Sequence, residues 1–457
     1  MLEGKNVHFI AIGGSAMHNL AICLHRLGNQ VSGSDDMFFD PSKGNLKREG
    51  LLPEADGWHP NRVDNSLDYV ILGMHAKADN PELLKAQELG LPVYSFPEFI
   101  YEASKNKKRV VVAGSHGKTS ITSMIMHILK EANKDFDYLV GAQLEGFDQM
   151  VKLSNAPVII IEGDEYTTSP LDLTPKFLHY HHDIACISGI AWDHFNVFPT
   201  FENYKEQFRK FVELTPTNGK LYYYNGDQEL TKIIEDQEGE EERFSPYSEH
   251  PNTVRMGKTI LKSHGAEYVI EVFGKHNMEN LQVAKNILVD LGITESEFYQ
   301  HIKTFGGAAK RLEKIGENEN TIVFKDFAHA PSKLKATSTA VHEQFPDRQT
   351  FAVLELHTFS SLNPEFIDQY AHAFDAPENA VVFINPEIMK KKGFELFTQE
   401  EIRNAFQRED LLLLCDAEAL EKTLLAQNWK NKNLLFMSSG NYGGLNLEKI
   451  TATILES

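Results

Sequence analysis

Between Arg109 and Ser120 the chain reads Arg-Val-Val-Val-Ala-Gly-Ser-His-Gly-Lys-Thr-Ser, an apolar stretch that breaks into a turn bracketed by Gly114 and Gly117. Glycines let a loop turn several backbone N–H groups onto one oxyanion. The Lys118 ammonium can reach terminal phosphates, and the Thr119 hydroxyl can ligate Mg2+. Gly114, Ser115, His116, Gly117, Lys118, Thr119 and Ser120 are therefore candidate phosphate-binding residues, with ATP and Mg2+ as candidate ligands. The general pattern GxxxxGK[ST] places its first glycine where this chain has Val112, and Gly114 follows two residues later. Context carries the reading. The β-rich run Val110 to Val112 enters the loop, and Ile121 to Lys130 leaves it with helical spacing.

Other strand ends carry polar groups in the same manner. Val158-Ile-Ile-Ile-Glu162 runs into Gly163-Asp164-Glu165-Tyr166, placing acids where a parallel sheet presents ligands. A carboxylate there, beside a phosphate loop, holds Mg2+ directly or through water; a solvated acidic turn is the alternative. The strand Ile184 to Ile187 is followed by Trp192-Asp193-His194. Asn277 and Asn280 open a helix, where an amide suits either the edge of adenine or a helix cap. Lys310-Arg311 supplies a basic pair, and Asp326-Phe-Ala-His329-Ala-Pro331 closes a further strand. At the N-terminus, Phe9 to Met17 resembles a dinucleotide-fold first turn with Ala11 and Ala16 in place of the outer glycines. Asp35 follows the second strand, where a ribose-binding acid sits, and a tight packing turn accounts for the pattern equally well.

The elements that must position these groups alternate strand and helix. Val7 to Ile12, a helix from Ala16 to Leu27, Gln30 to Gly33, Tyr69 to Leu72 and Val93 to Ser95 predict a doubly wound α/β domain with a parallel sheet. A second α/β segment runs from Val110 to about Gly316. A third holds Thr321 to Phe324, Thr350 to Glu355, Ala380 to Ile384 and Leu434 to Ser438. Lys105 to Arg109 reads as a solvated linker, and Glu235 to Arg243 as an exposed acidic loop. With 457 residues, the economical division is 1–107, 108–315 and 316–457. Hydrophobic content of 42% with 24% charged residues is that of a globular protein, and a net charge of −20 argues against a nonspecific grip on nucleic acid. No membrane span or signal peptide is evident, so a cytoplasmic protein is expected. Cys23, Cys186 and Cys415 read as buried thiols.

The ordered set His116-Gly117-Lys118-Thr119, Glu162-Gly-Asp-Glu-Tyr166, Asp193-His194, His276-Asn277-x-x-Asn280, Arg311 and Asp326-x-x-His329-x-Pro331 resembles the Mur ligase family across nearly the whole chain. Ile12-Gly13-Gly14-Ser15-x-Met17, Ser32-Gly33-Ser34-Asp35 and Asp79-Asn80-Pro81-Glu82 resemble the branch acting on UDP-N-acetylmuramate. Pro175 to Tyr180, Asp193-His-x-x-x-Phe198 and Met437 to Gly444 are most similar to the members that add a recycled cell-wall tripeptide. The resemblance implies a Rossmann-like UDP-sugar domain, a central P-loop ATPase-like domain and a C-terminal Rossmann-like domain for the incoming amine. It implies ATP-dependent amide formation through an acyl phosphate. Lys118, Glu162, His194 and Arg311 are the implied catalytic residues, and Thr119, Glu162 and His194 the Mg2+ partners. Asn277, Asn280, Arg311, Asp326 and His329 would bind nucleotide, and Gly13, Gly14, Ser15 and Asp35 the UDP-sugar.

Certain positions depart from the family's pattern. Gly189 and Ala191 stand where relatives have Asn and Glu, Phe208 where some carry a carbamylated lysine, and Ala330, Lys333 and Thr358 where they have histidine, an acid and arginine. The last three bear on the amine, so L-alanine addition is the alternative to tripeptide addition. Gly189 and Ala191 leave open a nucleotide or UDP-sugar binding protein without ligase activity. The implied partners are UDP-N-acetylmuramate and a small peptide or amino acid, with no nucleic acid or membrane. The chain is expected to be a monomer or weak homodimer, with the seam near Gly316 as a candidate hinge.

Overall fold

Valine- and isoleucine-rich runs such as Val110 to Val112 and Ile159 to Ile161 have no exposed surface, as strands covered on both faces of a parallel sheet must. The computed structural model describes residues 2–144, 146–192, 197–237, 241–308 and 311–456. It forms two compact units, Met1–Ser248 with Val283–Glu295, and Glu249–Gln282 with Ser296–Ser457.

The first unit holds two sheets. One has four parallel strands in the order Gln30–Ser34, Asn6–Ile10, Tyr69–Leu72 and Val93–Ser95. The other has seven, in the order Phe244–Tyr247, Lys220–Tyr224, Ile184–Ile187, Lys108–Ala113, Val158–Glu162, Asp137–Leu139 and Val151–Lys152, with only the last pair antiparallel. The second unit holds a three-stranded antiparallel sheet, Asn252–Arg255, Lys258–Ser263 and Ala266–Ile270, which the sequence reading did not anticipate. Its larger sheet runs Glu313–Glu317, Thr321–Asp326, Lys432–Met437, Gln349–Leu356, Asn379–Ile384 and Leu412–Leu414, with the first strand antiparallel. The mixed α/β class with parallel-rich sheets is the expected one. Among the described residues no helix is long and apolar enough to cross a membrane.

Several local readings change. The first strand stops at Ile10 because Ala11 adopts φ 66°, and the N–H groups of Ala11 and Ile12 both donate to the carbonyl of Ser34. Lys105 to Arg109 is solvated only in part: Lys105, Asn106 and Lys108 are exposed, but Lys107 and Arg109 are not. The Lys107 ammonium is 2.8 Å from fully buried Asp137 and donates to the carbonyls of Ser154 and Ala156. Arg109 donates to the carbonyls of Ser104, Lys105, Lys107 and His181, and lies beside Asp183. These cations fasten the end of the helix Phe96–Ser104 to the seven-stranded sheet. Glu235 ends the helix Gln228–Glu235, and Glu241–Arg243 is a short 3-10 turn, so only part of the acidic run is loop. Cys23 and Cys186 are buried, but Cys415 is partly exposed. Gly316, beside the expected seam, lies in the strand Glu313–Glu317, where a Cβ would fall 2.6 Å from Leu455 Cδ1 and Thr451 Cγ2.

Asp137 also accepts hydrogen bonds from the N–H and hydroxyl of Ser154. Removing its carboxylate strands the Lys107 ammonium, which is 9% exposed. Asp137→Ala is expected to lower stability by roughly 3–5 kcal/mol, the range for breaking one side of a buried pair, and an unfolding free energy from urea titration that changes by less than a tenth of that would count against the clamp.

Candidate active site

The central strand Lys108–Ala113 ends at Gly114, whose φ of 125° carries the chain off the sheet edge. A Cβ there would fall 2.3 Å from Ser188 Oγ, so the close approach of the two strand ends requires glycine. Ser115 donates through N–H and hydroxyl to the carbonyl of Gly189, while Ser188 N donates to Ala113 O and Ser188 Oγ to the carbonyls of Ala113 and His116. Gly117, at φ 74°, caps the helix Lys118–Glu131 without a side chain in the way. The loop therefore ends on unobstructed helix N–H groups, an anion-binding arrangement.

Lys118 Nζ lies 2.6 Å from both Gly114 O and Glu165 Oε2, and Glu165 is almost fully buried. Burial disfavours the ammonium, but the Glu165 carboxylate outweighs it and holds Lys118 above the usual lysine range. Thr119 Oγ1 donates to Glu162 Oε1 at 2.8 Å, and Gly141 N donates to the other oxygen at 2.9 Å. Thr119 and Glu162 thus present hard oxygen donors side by side, the type Mg2+ takes alongside water and phosphate. Among the described residues no group of three or more His, Cys, Asp and Glu forms a protein-only metal cage. His194 and Asp193 lie outside the described residues, as does Lys310. Glu165 is the partner that sequence reasoning named within its motif but gave no role. Its place among acids at a strand end was the available signal.

The turn Gly13-Gly14-Ser15 opens the helix Ser15–Arg26 in the same unit. Gly13 N donates to Asp35 Oδ2 at 2.7 Å, and a Cβ on Gly13 would come within 2.8 Å of that oxygen. Burial, with Asp36 adding to it, pushes the Asp35 carboxyl up to about 6. Behind it, fully buried His8 and Glu82 meet at 3.1 Å, and Glu82 also accepts from His59 N at 2.6 Å. The Asn80 side chain caps the helix Pro81–Glu88 that carries Glu82.

The remaining nucleotide candidates belong to the second unit. Asn277 Nδ2 donates to the carbonyl of Phe273 at 2.8 Å, and Asn280 is buried. Asp326 has both oxygens engaged: one accepts from Leu312 N, the other from Ala328 N at 2.6 Å and Thr337 Oγ1 at 3.5 Å. Burial pushes its carboxyl up, against the pull of Arg311. Asp326 therefore holds the left-handed turn at Leu312, and with it Arg311, whose guanidinium lies 5.1 Å over the Phe327 ring. The His329 ring faces the carbonyl of Phe327 at 2.8 Å.

The departures from pattern also take shape. Phe208 is fully buried in an aromatic cluster with Phe177 and Tyr204, ring centroids 5.3 and 5.1 Å away, which leaves no place for a carbamylated lysine. Thr358 bonds its own turn at Ser361. Lys333 lies in the helix Pro331–Gln344, with Ala330 as its N-cap.

Residues 6–108 match the family described as Mur ligase family, catalytic domain, and residues 112–288 match the Mur ligase middle domain. A UDP-N-acetylmuramate–L-alanine ligase of Persephonella marina is 30% identical over 94% of this chain and 99% of its own length. The solved UDP-N-acetylmuramate:L-alanyl-gamma-D-glutamyl-meso-diaminopimelate ligase of Neisseria meningitides shares 25% identity, covers 66% of this chain and 98% of that one, and superposes with a TM-score of 0.59. The UDP-N-acetylmuramate–alanine ligase structure of Thermotoga maritima covers 99% of both chains with a TM-score of 0.67 at 17% identity, a likeness of fold.

Two measurements probe this geometry. Glu165→Gln leaves the Lys118 ammonium without its counter-charge and is expected to destabilise the protein by about 3 kcal/mol; a midpoint equal to wild type would show that the pair is not holding the loop. Because the Asp35 carboxyl is held at about 6 when folded, its contribution to stability is complete below its ordinary value of 3.8 and lost as pH rises through 6. Wild type should lose stability relative to Asp35→Asn across that window, and a constant difference between the two would contradict the burial of a proton there.

Proposed function

This chain belongs to the Mur ligase family, and from that premise we propose that it uses ATP to join the lactyl carboxylate of UDP-N-acetylmuramate to the amine of L-alanyl-γ-D-glutamyl-meso-diaminopimelate, as a murein peptide ligase does. The observation that carries ligation is the adjacency of Lys118, Thr119 and Glu162 at the open end of a glycine turn. A carboxylate resists attack by an amine, so it must first accept the γ-phosphoryl group of ATP. The amine then adds to the acyl phosphate, and the tetrahedral adduct expels phosphate. Both steps gather charge on phosphoryl oxygens, which favours fixed cations and N–H groups over covalent catalysis. Lys118, held charged by Glu165, answers that charge without reorganising, and the loop N–H groups orient the phosphates. Thr119 and Glu162 would hold Mg2+, which supplies further positive charge to the phosphates when bound.

We assign the UDP-sugar to 1–107 through Gly13, Gly14, Ser15 and Asp35, ATP to 108–315, and the amine to 316–457. Asn277, Asn280, Arg311 and His329 are assigned to the nucleotide by their place in the family's pattern, with Asp326 acting on Arg311. Resemblance of the segments 175–180 and 437–444 to tripeptide-adding members favours the peptide acceptor. The second of these wraps buried Glu355, which accepts from Ser438 Oγ and from Tyr442 N at 2.9 Å. Similarity to the Persephonella marina relative favours L-alanine instead.

Phosphate release with ATP, UDP-N-acetylmuramate and either amine separates the readings. Turnover with the tripeptide is expected. Turnover only with free L-alanine would replace the acceptor, and UDP-sugar binding without ADP formation from any amine would reduce the chain to a binding protein. Lys118→Ala should cut turnover by roughly a hundredfold or more while leaving UDP-N-acetylmuramate affinity within about twofold, and parallel loss of both would contradict the assignment.

A further inference from the structure

Position 189 lies next to the phosphate loop and is occupied by glycine with φ 141°. A Cβ built on Gly189 would fall 2.7 Å from His116 Nε2 and 3.2 Å from His116 Cε1, with Asp227 Oδ2 3.4 Å from the same point. The imidazole therefore stands in the space that any side chain at 189 would need. Hydrogen bonds lock that approach from both sides. Ser115 donates to the Gly189 carbonyl at 2.9 Å through its N–H, and Ser188 Oγ donates to the His116 carbonyl. Beyond the ring, Asp227 accepts from Ile190 N at 2.7 Å and caps the helix Gln228–Glu235 through the N–H groups of Glu229 and Leu230, each at 3.1 Å. The loop 114–117, the strand end 188–190 and this helix N-terminus meet around one side chain.

We propose that His116 is a positioning residue of the phosphate loop, its imidazole wedged against Gly189. On this inference Gly189 is a fitted partner of His116 and no lesion of the site. The inference rests on the assignment of 114–120 to ATP. Loss of the ring would let the loop relax toward the 188–190 strand end, weakening nucleotide binding while leaving the UDP-sugar turn at 13–15 untouched. A side chain at 189 would expel the same ring and produce the same defect, with added backbone strain at a φ that only glycine adopts comfortably.

A double-mutant cycle on the full chain tests this, with KM for ATP, kcat and the calorimetric affinity for UDP-N-acetylmuramate measured for wild type, His116→Ala, Gly189→Ala and the double variant. His116→Ala should raise KM for ATP on the order of tenfold, with UDP-sugar affinity within about twofold of wild type. His116→Gln, which returns a planar polar group near the Nε2 position, should recover most of that loss. The double variant should be no worse than the poorer single by more than about twofold, because both changes remove one contact. Additive losses, or a His116→Ala enzyme with unchanged KM for ATP, would overturn the proposal. Should Gly189→Ala fail to fold, the His116→Ala and His116→Gln comparison still decides. A wild-type chain that neither binds nor consumes ATP removes the ligase reading and this inference together; unchanged behaviour of His116→Ala in an ATP-consuming enzyme removes the inference alone.

Discussion

A lysine ammonium drawn almost out of water must keep its charge, and the glycine-bracketed loop 114–117 is organised around that demand. Lys118 is 15% exposed, and its Nζ has one carboxylate and one carbonyl within 2.6 Å. Burial alone would favour the neutral amine, so Glu165 has to be equally buried and equally close. That places the turn after Val158–Glu162 against the loop after Lys108–Ala113, which requires the two strands to be neighbours in register. Neighbouring parallel strands in turn require crossover helices and sheet faces covered on both sides. The order of the seven-stranded sheet is thus the frame within which one cation stays charged.

The sequence made the local parts of this frame legible and left the distant partnerships dark. Strands such as Tyr69–Leu72, Val93–Ser95 and Val158–Glu162 appear at the predicted residues because apolar runs bounded by turns have one economical fate. The loop 114–120 was readable for the same reason, since glycine spacing, lysine and hydroxyl lie side by side in the chain. The pairing of Lys118 with Glu165 spans 47 residues and that of Lys107 with Asp137 joins a linker to a strand, so neither leaves a local trace. The basic run 105–109 misled in part for that reason: charge density suggests solvent, which Lys105 and Lys108 do face, whereas Lys107 and Arg109 find carbonyls and, for Lys107, a buried acid. Asp326 was visible as an acid at a strand end, yet its oxygens serve the backbone at Leu312 and Ala328, which only the fold reveals.

Departures from a family pattern gain meaning from their surroundings. Phe208 fills an aromatic cluster, and Gly189 admits the His116 ring, so these two altered residues are matched to their neighbours. Thr358 spends its hydroxyl on a turn, and no arginine stands at that place to meet an anionic group. In the first unit Phe208 and Gly189 are each packed against a side chain of the same unit, whereas Lys333 and Thr358 belong to a helix and a turn of the second unit.

The margins of the seven-stranded sheet have a consequence for life in a crowded solution. One border strand, Phe244–Tyr247, contains Pro246, which has no N–H to offer an incoming backbone. The opposite border, Val151–Lys152, is two residues long and runs against its neighbour, with the lysine exposed. A sheet of such length could recruit strands from other chains, but one margin lacks a donor and the other is too brief to template a ladder. Both flanks of the sheet are thereby poor templates for strand addition, and the sheet's length is no aggregation liability.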